Sequence, residues 1–125
     1  MPYDKNVSPV GWYVGAYLIR FIELGAKNNE DPEARFLSWE NTVIVKAENL
    51  SKAYDKVVAI AKATTKPYKG GDAGIPVKWV FEGVTELLPI YEPLGDGSEI
   101  MWRERNPTKL KSLKKLVRGR RDFKQ

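Results

Sequence analysis

The sequence contains neither cysteine nor histidine. The first absence excludes a disulfide framework, a thiolate nucleophile and a thiolate metal site. The second removes the commonest general base and the commonest metal ligand together. Catalysis would have to rest on carboxylates, lysine, tyrosine or a bound cofactor, and a metal site would be all-oxygen. The chain is therefore expected to be non-enzymatic, with no cofactor and no metal. Long apolar runs are also missing: none approaches the roughly 20 residues that span a bilayer. The opening "MPYDKNVSPV" has neither a basic n-region nor an apolar h-region, so a cytoplasmic protein is expected. What is present is 125 residues, 42% apolar and 30% charged, enough for one domain with a core of its own.

The net charge of +5 is unevenly spread. From Pro107 onward eight Lys or Arg stand against the single acid Asp122, a balance of +7. Residues 1–106 then hold 13 basic and 15 acidic side chains, a balance of −2. The expected division is a faintly acidic α+β domain over 1–106 and a basic C-terminal helix and tail over 107–125.

"GWYVGAYLIRFIEL" (11–24) is aromatic and β-branched with both phases of its alternation apolar, as in a central strand covered on both faces. "RFLSWENTVIVKA" (35–47) alternates more cleanly, with Leu37, Trp39, Val43, Val45 and Ala47 inward, and reads as a strand with one wet face. Asn49 can cap a helix over about 50–64, whose apolar residues recur at spacings of three and four. "PYKGGDAGIP" (67–76) reads as a loop. "VKWVFEGVTELLPIY" (77–91) reads as a long strand, in which Gly83 suggests a bulge or close packing. Gly95-Asp96-Gly97 signals a hairpin returning as "EIMWRER" (99–105). The expected fold is β-β-α-β-β: a four-stranded, mostly antiparallel sheet with one helix on a face.

Each expected strand carries one tryptophan: Trp12, Trp39, Trp79 and Trp102. They can form the packing layer of the sheet. One helix cannot cover both faces of such a sheet, however, so some rings are left to meet a partner, and a homodimer is an economical cover. Arg20 inside an apolar strand either reaches an acid such as Glu40 or Glu82 or marks an interface.

In the tail, Asn106 suits a cap, Pro107 the first helical position and Gly119 the stop. Leu110, Leu113, Leu116 and Val117 make a narrow stripe, expected to dock on the domain or on a second subunit. Lys114, Lys115, Arg118, Arg120, Arg121, Phe123 and Lys124 are the residues that could contact phosphates and bases. Motifs for chemistry are sparse. "KGGDAG" (69–74) lacks a following Gly-Lys-Ser/Thr and precedes a strand, so it reads as a connector. Glu82 and Glu86 share a strand face without a third converging group.

"WYVGAYLIRF", "SWENTVIVKAENLSKAYDKV", "VKWVFEGVTELLPI" and "GDGSEI" together resemble a small bacterial family known only as a domain of unknown function. Its members share a WY-type first strand, a second strand ending in Lys-Ala before a helix, a W-x-F-x-G-V-type strand and a Gly-x-Glu element near the end. The resemblance spans about residues 11–102 and implies a compact bacterial domain, with no activity, cofactor or site residues attached. The basic tail lies outside the pattern.

Three functions follow. The first is a protein-interaction module of the immunity-like, phage accessory or regulatory kind, binding a protein partner through Trp12, Arg20, Trp39, Trp79 and Trp102. The second is a nucleic-acid-binding protein that uses the basic tail and exposed aromatics. The third, ranked last, is an enzyme or ligand-sequestering protein built on Glu82, Glu86, Asp72 or Arg20.

Overall fold

The computed structural model describes residues 4–71 and 73–124. Strand β1 (Trp12–Glu23) is central and pairs antiparallel with β2 (Ser38–Lys46) on one side and β4 (Ile75–Pro89) on the other. The short β3 (Tyr68–Gly70) completes an antiparallel sheet of order β2-β1-β4-β3, with helix α1 (Leu50–Ala63) between β2 and β3. The α+β class and the β-β-α-β-β order are as expected. The identity of the last two strands is not.

The third strand, β3, lies within the segment expected to be a loop, and Gly71 and Gly74, both at positive φ, turn the chain from it into β4. The segment 99–105 forms no strand. Its turn does form, with Ser98 N–H donating to the Gly95 carbonyl at 3.1 Å and Gly97 at positive φ, but nothing returns to the sheet. The chain has already been tied off. Ile90 N–H donates to the Trp12 carbonyl (2.9 Å), and the buried Ser8 hydroxyl donates to the Ile90 carbonyl (2.6 Å). The same hydroxyl accepts from the backbone of Val10 and Trp12 at 3.2 and 3.1 Å. Both ladder groups of Ile90 are thereby spent at the end of β4.

The odd residues of β1 face the helix. Tyr13, Tyr17 and Ile19 pack with Val45 of β2 and with Ala53, Val57 and Ala61 of α1, a four-residue repeat of small side chains. Those small residues bring the helix close to the sheet. A Cβ built at Gly15 would lie 2.6 Å from Val57 Cγ2, so only glycine fits beneath the helix there. Asn49 caps α1 through Oδ1, which accepts from Lys52 N–H at 2.8 Å. Thr64 and Thr65 close the other end by donating their hydroxyls to the Ala61 and Lys62 carbonyls, each at 2.7 Å.

β1 and β4 pair through two register shifts, which leave Thr85 and Glu82 of β4 as extra residues on either side of Gly83 and Val84. This is the bulge that Gly83 suggested. β2 pairs with β1 without interruption from Trp12↔Lys46 to Arg20↔Ser38.

The tail helix is shorter than expected. α2 covers Leu110–Leu116, with Lys109 rather than Asn106 at its cap position and no side-chain cap bond, and a 3-10 turn follows over Arg120–Phe123. Gly119 precedes that turn instead of ending the helix. Every residue from Trp102 to Lys124 is exposed, so the leucine stripe is not docked on its own domain. With seven residues, three of them lysines, and no capping side chain, the helix presents its leucines to solvent.

Candidate functional site

The four tryptophans do not share one layer. Trp12 is on β1 with the even residues, on the face away from α1, where the Lys46 ammonium lies 6.0 Å from its ring centroid. Trp39 and Trp79 are on the helix-bearing face, one on each side of β1: Trp39 is opposite Ile19 and Trp79 opposite Phe21. Their rings meet across β1 with centroids 4.8 Å apart, and Phe21 packs edge-on against Trp79 at 5.3 Å. Trp79 leans on the core under α1. Trp39 is 53% exposed and the neighbouring Leu37 is 58% exposed, so the expectation that both point into a covered core is corrected. The helix does not reach this corner of the sheet. Trp102 is also half-exposed, on the irregular segment after β4, where it lines a shallow groove with Pro89, Tyr91, Glu99 and Met101.

Arg20 is on the opposite face and is only 15% exposed. Its Nε donates to Glu82 Oε2 at 3.0 Å, one terminal nitrogen donates to the Asn29 carbonyl at 2.6 Å, and the other lies 3.8 Å from Glu30. The guanidinium also sits 4.6 Å from the Phe36 ring centroid. With its donors distributed over two carboxylates and a carbonyl, Arg20 clamps the loop of residues 24–37 onto the sheet. Glu82 was one of the two acids named for it, and the loop contributes the partners that spacing alone did not reveal. The cleft beside this clamp, about 270 Å³ and open to solvent, is lined by Asn29, Glu30, Asp31, Pro32 and Phe36.

Glu86 is opposite Ala16, on the same face as Glu82, while Glu40 of β2 accepts from the Thr85 hydroxyl across β1. Among the described residues no three carboxylates converge as metal ligands. Asp72 lies outside the described residues.

The tail cations form a separate surface. Lys114 and Lys115 end α2, and Arg120 and Arg121 are in the 3-10 turn. Arg118 is folded back: it donates to the Asp122 carbonyl and lies 5.1 Å from the Phe123 ring centroid, while the Asp122 carboxylate accepts from Gly119 N–H at 2.8 Å. Lys124 follows, exposed. The Arg-rich end is thus a local turn organised by its one acid, and Phe123 is occupied by Arg118. Sequence reading missed Ser8, whose five hydrogen bonds depend on partners 82 residues away and next door alike. A serine in a polar opening segment carries no signal for that. Among the described residues no helix is long and apolar enough to cross a membrane.

No curated protein and no solved structure shows significant similarity to this chain. A family model does match: residues 12–102, which hold the whole sheet, helix α1 and the aromatic corner, fit the family described as a domain of unknown function (DUF4288), and the chain belongs to it.

Proposed function

We propose that this chain is a non-enzymatic, cytoplasmic protein-interaction module that grips an apolar segment of a partner protein with the aromatic corner of its helix-bearing sheet face. The observation that carries the reading is the Trp39–Trp79 pair, tilted rings with centroids 4.8 Å apart on the sheet, with Trp39 half in solvent. Rigid, preorganised tryptophans at the edge of a core are the residues that dominate binding energy in protein interfaces. Phe21 supports the pair from below and Leu37 extends it. Trp12 and Arg20, named with the others from sequence, lie on the far face of the sheet, and Trp102 is a separate exposed ring.

The experiment is capture of partners from a lysate of the source organism with the wild-type chain and with Trp39→Ala, followed by calorimetry on the purified pair. A protein that binds the wild type directly and loses at least about tenfold in affinity with Trp39→Ala is the expected result, since an interface tryptophan is worth on the order of 2 kcal/mol or more. Direct binding unaffected by the substitution would reject the corner.

A second reading rests on the full exposure of the tail cations: a nucleic-acid arm in which Lys114, Lys115, Arg120, Arg121 and Lys124 meet phosphates. Fluorescence anisotropy with labelled single-stranded and duplex oligonucleotides, on the full chain and on a chain ending at Asn106, separates the two. Binding that weakens steeply with salt and disappears on truncation would replace the first reading, with a log–log slope of roughly −3.5 for five contacts on a single strand.

A further inference from the structure

The two long edges of the sheet are treated differently. Past its three pairs with β3, the outer edge of β4 runs through two bulges and ends in Pro89, features that twist an edge and remove a donor. β2 forms the other edge. Its nine residues are regular, contain no proline and, among the described residues, are covered by no other strand. The ladder fixes which of its backbone groups are free. Phe21 N–H donates to the Leu37 carbonyl (2.9 Å) and Ala47 N–H to the Gly11 carbonyl (3.0 Å), so the odd residues of this stretch face β1. Glu40, Thr42, Ile44 and Lys46 therefore point their N–H and C=O groups outward. The Lys46 carbonyl accepts a bond from Lys56 Nζ (2.5 Å), which leaves its second lone pair and the rest of the row.

From this edge we infer that β2 pairs antiparallel with β2 of a second copy of this chain, about a two-fold axis at Val43, making one continuous eight-stranded sheet. Side chains select the register. Outward groups must face outward groups, so even residues pair with even ones. Placing the axis at Val43 sets Glu40 opposite Lys46 of the second copy, twice by symmetry, and Thr42 opposite Ile44. On the helix-bearing face it sets Val43 against Val43 and Trp39 against Ala47, and on the far face Thr42 against Ile44, covering apolar surface that the monomer leaves open at Trp39 and Ile44. A shift of the axis by one residue, to Thr42, would put Glu40 against Ile44 and lose both charge pairs. The pairing is made by the β2 edge, and at Trp39 it adjoins the aromatic corner.

The absence of native cysteine makes the test clean. Val43 is then a non-hydrogen-bonded pair on the axis, where Cα atoms lie about 4.5 Å apart, inside the range a disulfide spans. Sedimentation of the full chain is expected to give a dimer, and mild oxidation of Val43→Cys is expected to lock it, whereas Thr42→Cys stays uncrosslinked. Glu40→Lys places like charges opposite each other and should weaken the dimer roughly tenfold, with the swap Glu40→Lys/Lys46→Glu restoring it. A monomer at all accessible concentrations, crosslinking at Thr42 in place of Val43, or a dimer indifferent to both Glu40→Lys and Val43→Cys would each overturn the proposal. Circular dichroism of each variant separates loss of pairing from loss of fold.

Discussion

The two helices of this chain make an instructive pair. Both carry apolar residues at helical spacing, Ala53, Val57 and Ala61 on α1 and Leu110, Leu113 and Leu116 on α2, yet the first three are buried and the second three are exposed. Side chain for side chain, the three leucines have the stronger claim to burial. What α1 has is a counterpart. Its small residues fit against a glycine in β1, its first turn is capped by Asn49, and the strands on either side of it fix where it lies. α2 has seven residues, no side-chain cap and, among the described residues, no strand or helix packed against it. Periodicity makes a segment able to dock, and a shaped surface decides whether it does.

If that contrast is right, the largest losses of stability come from the surface under α1. Tyr13 is completely buried there, and its hydroxyl accepts from Ser8 N–H at 3.0 Å. Tyr13→Ala should cost on the order of 3–5 kcal/mol, read as a fall in the urea midpoint, because it opens a cavity and leaves the Ser8 donor unpaired as well. Gly15→Ala tests the shape of the same surface from the opposite direction, by adding one methyl 2.6 Å from Val57 Cγ2. The expected cost is about 1–3 kcal/mol. Pairing it with Val57→Ala should give a total well below the sum of the two single changes, as the deleted methyls make the space that the new one needs. A strictly additive result would mean that the helix is not seated on Gly15.

The cap is a smaller effect. Asn49→Ala removes the acceptor for Lys52 N–H and should lower stability by about 1 kcal/mol, with Asn49→Ser recovering most of it in the same denaturation experiment. This capping residue was also readable from sequence, and it belongs to the part of the fold where local and tertiary signals agree. β1, β2, α1 and β4 lie close to where alternation, helical spacing and cap chemistry put them. The departures occur where pairing, not propensity, makes the structure. Tyr68–Gly70 is three residues inside a glycine-rich loop and is a strand only because β4 offers it Val77, Pro76 and Ile75. Residues 99–105 have the alternation and the preceding turn, but Ile90 is already bonded to Ser8 and Trp12. The site divides in the same way. Arg20–Glu82 could be guessed from an arginine in an apolar strand, whereas Asn29, Glu30 and Phe36 could not, since a loop position carries no period. The meeting of Trp39 with Trp79 needs the register of three strands, which no single stretch contains.

The smallest expected effect is the sharpest test of the contrast between the helices. Ending the chain at Asn106 deletes α2 and every tail cation, and the stability of the remaining domain should change by no more than about 0.5 kcal/mol, since the deleted side chains are exposed throughout. Docked on its own sheet, the same helix would bury three leucines at about 1.5–3 kcal/mol each, so truncation would cost several kcal/mol and reduce the denaturant slope as buried area was lost. Docking on a second copy gives a third signature: a stability difference between the full and shortened chains that grows with protein concentration, because assembly is linked to folding by mass action. Urea titrations of both chains at two concentrations therefore distinguish a free tail from a tail bound within or between subunits, and the structure, with Leu110, Leu113 and Leu116 all in solvent, requires the first of the three for the monomer.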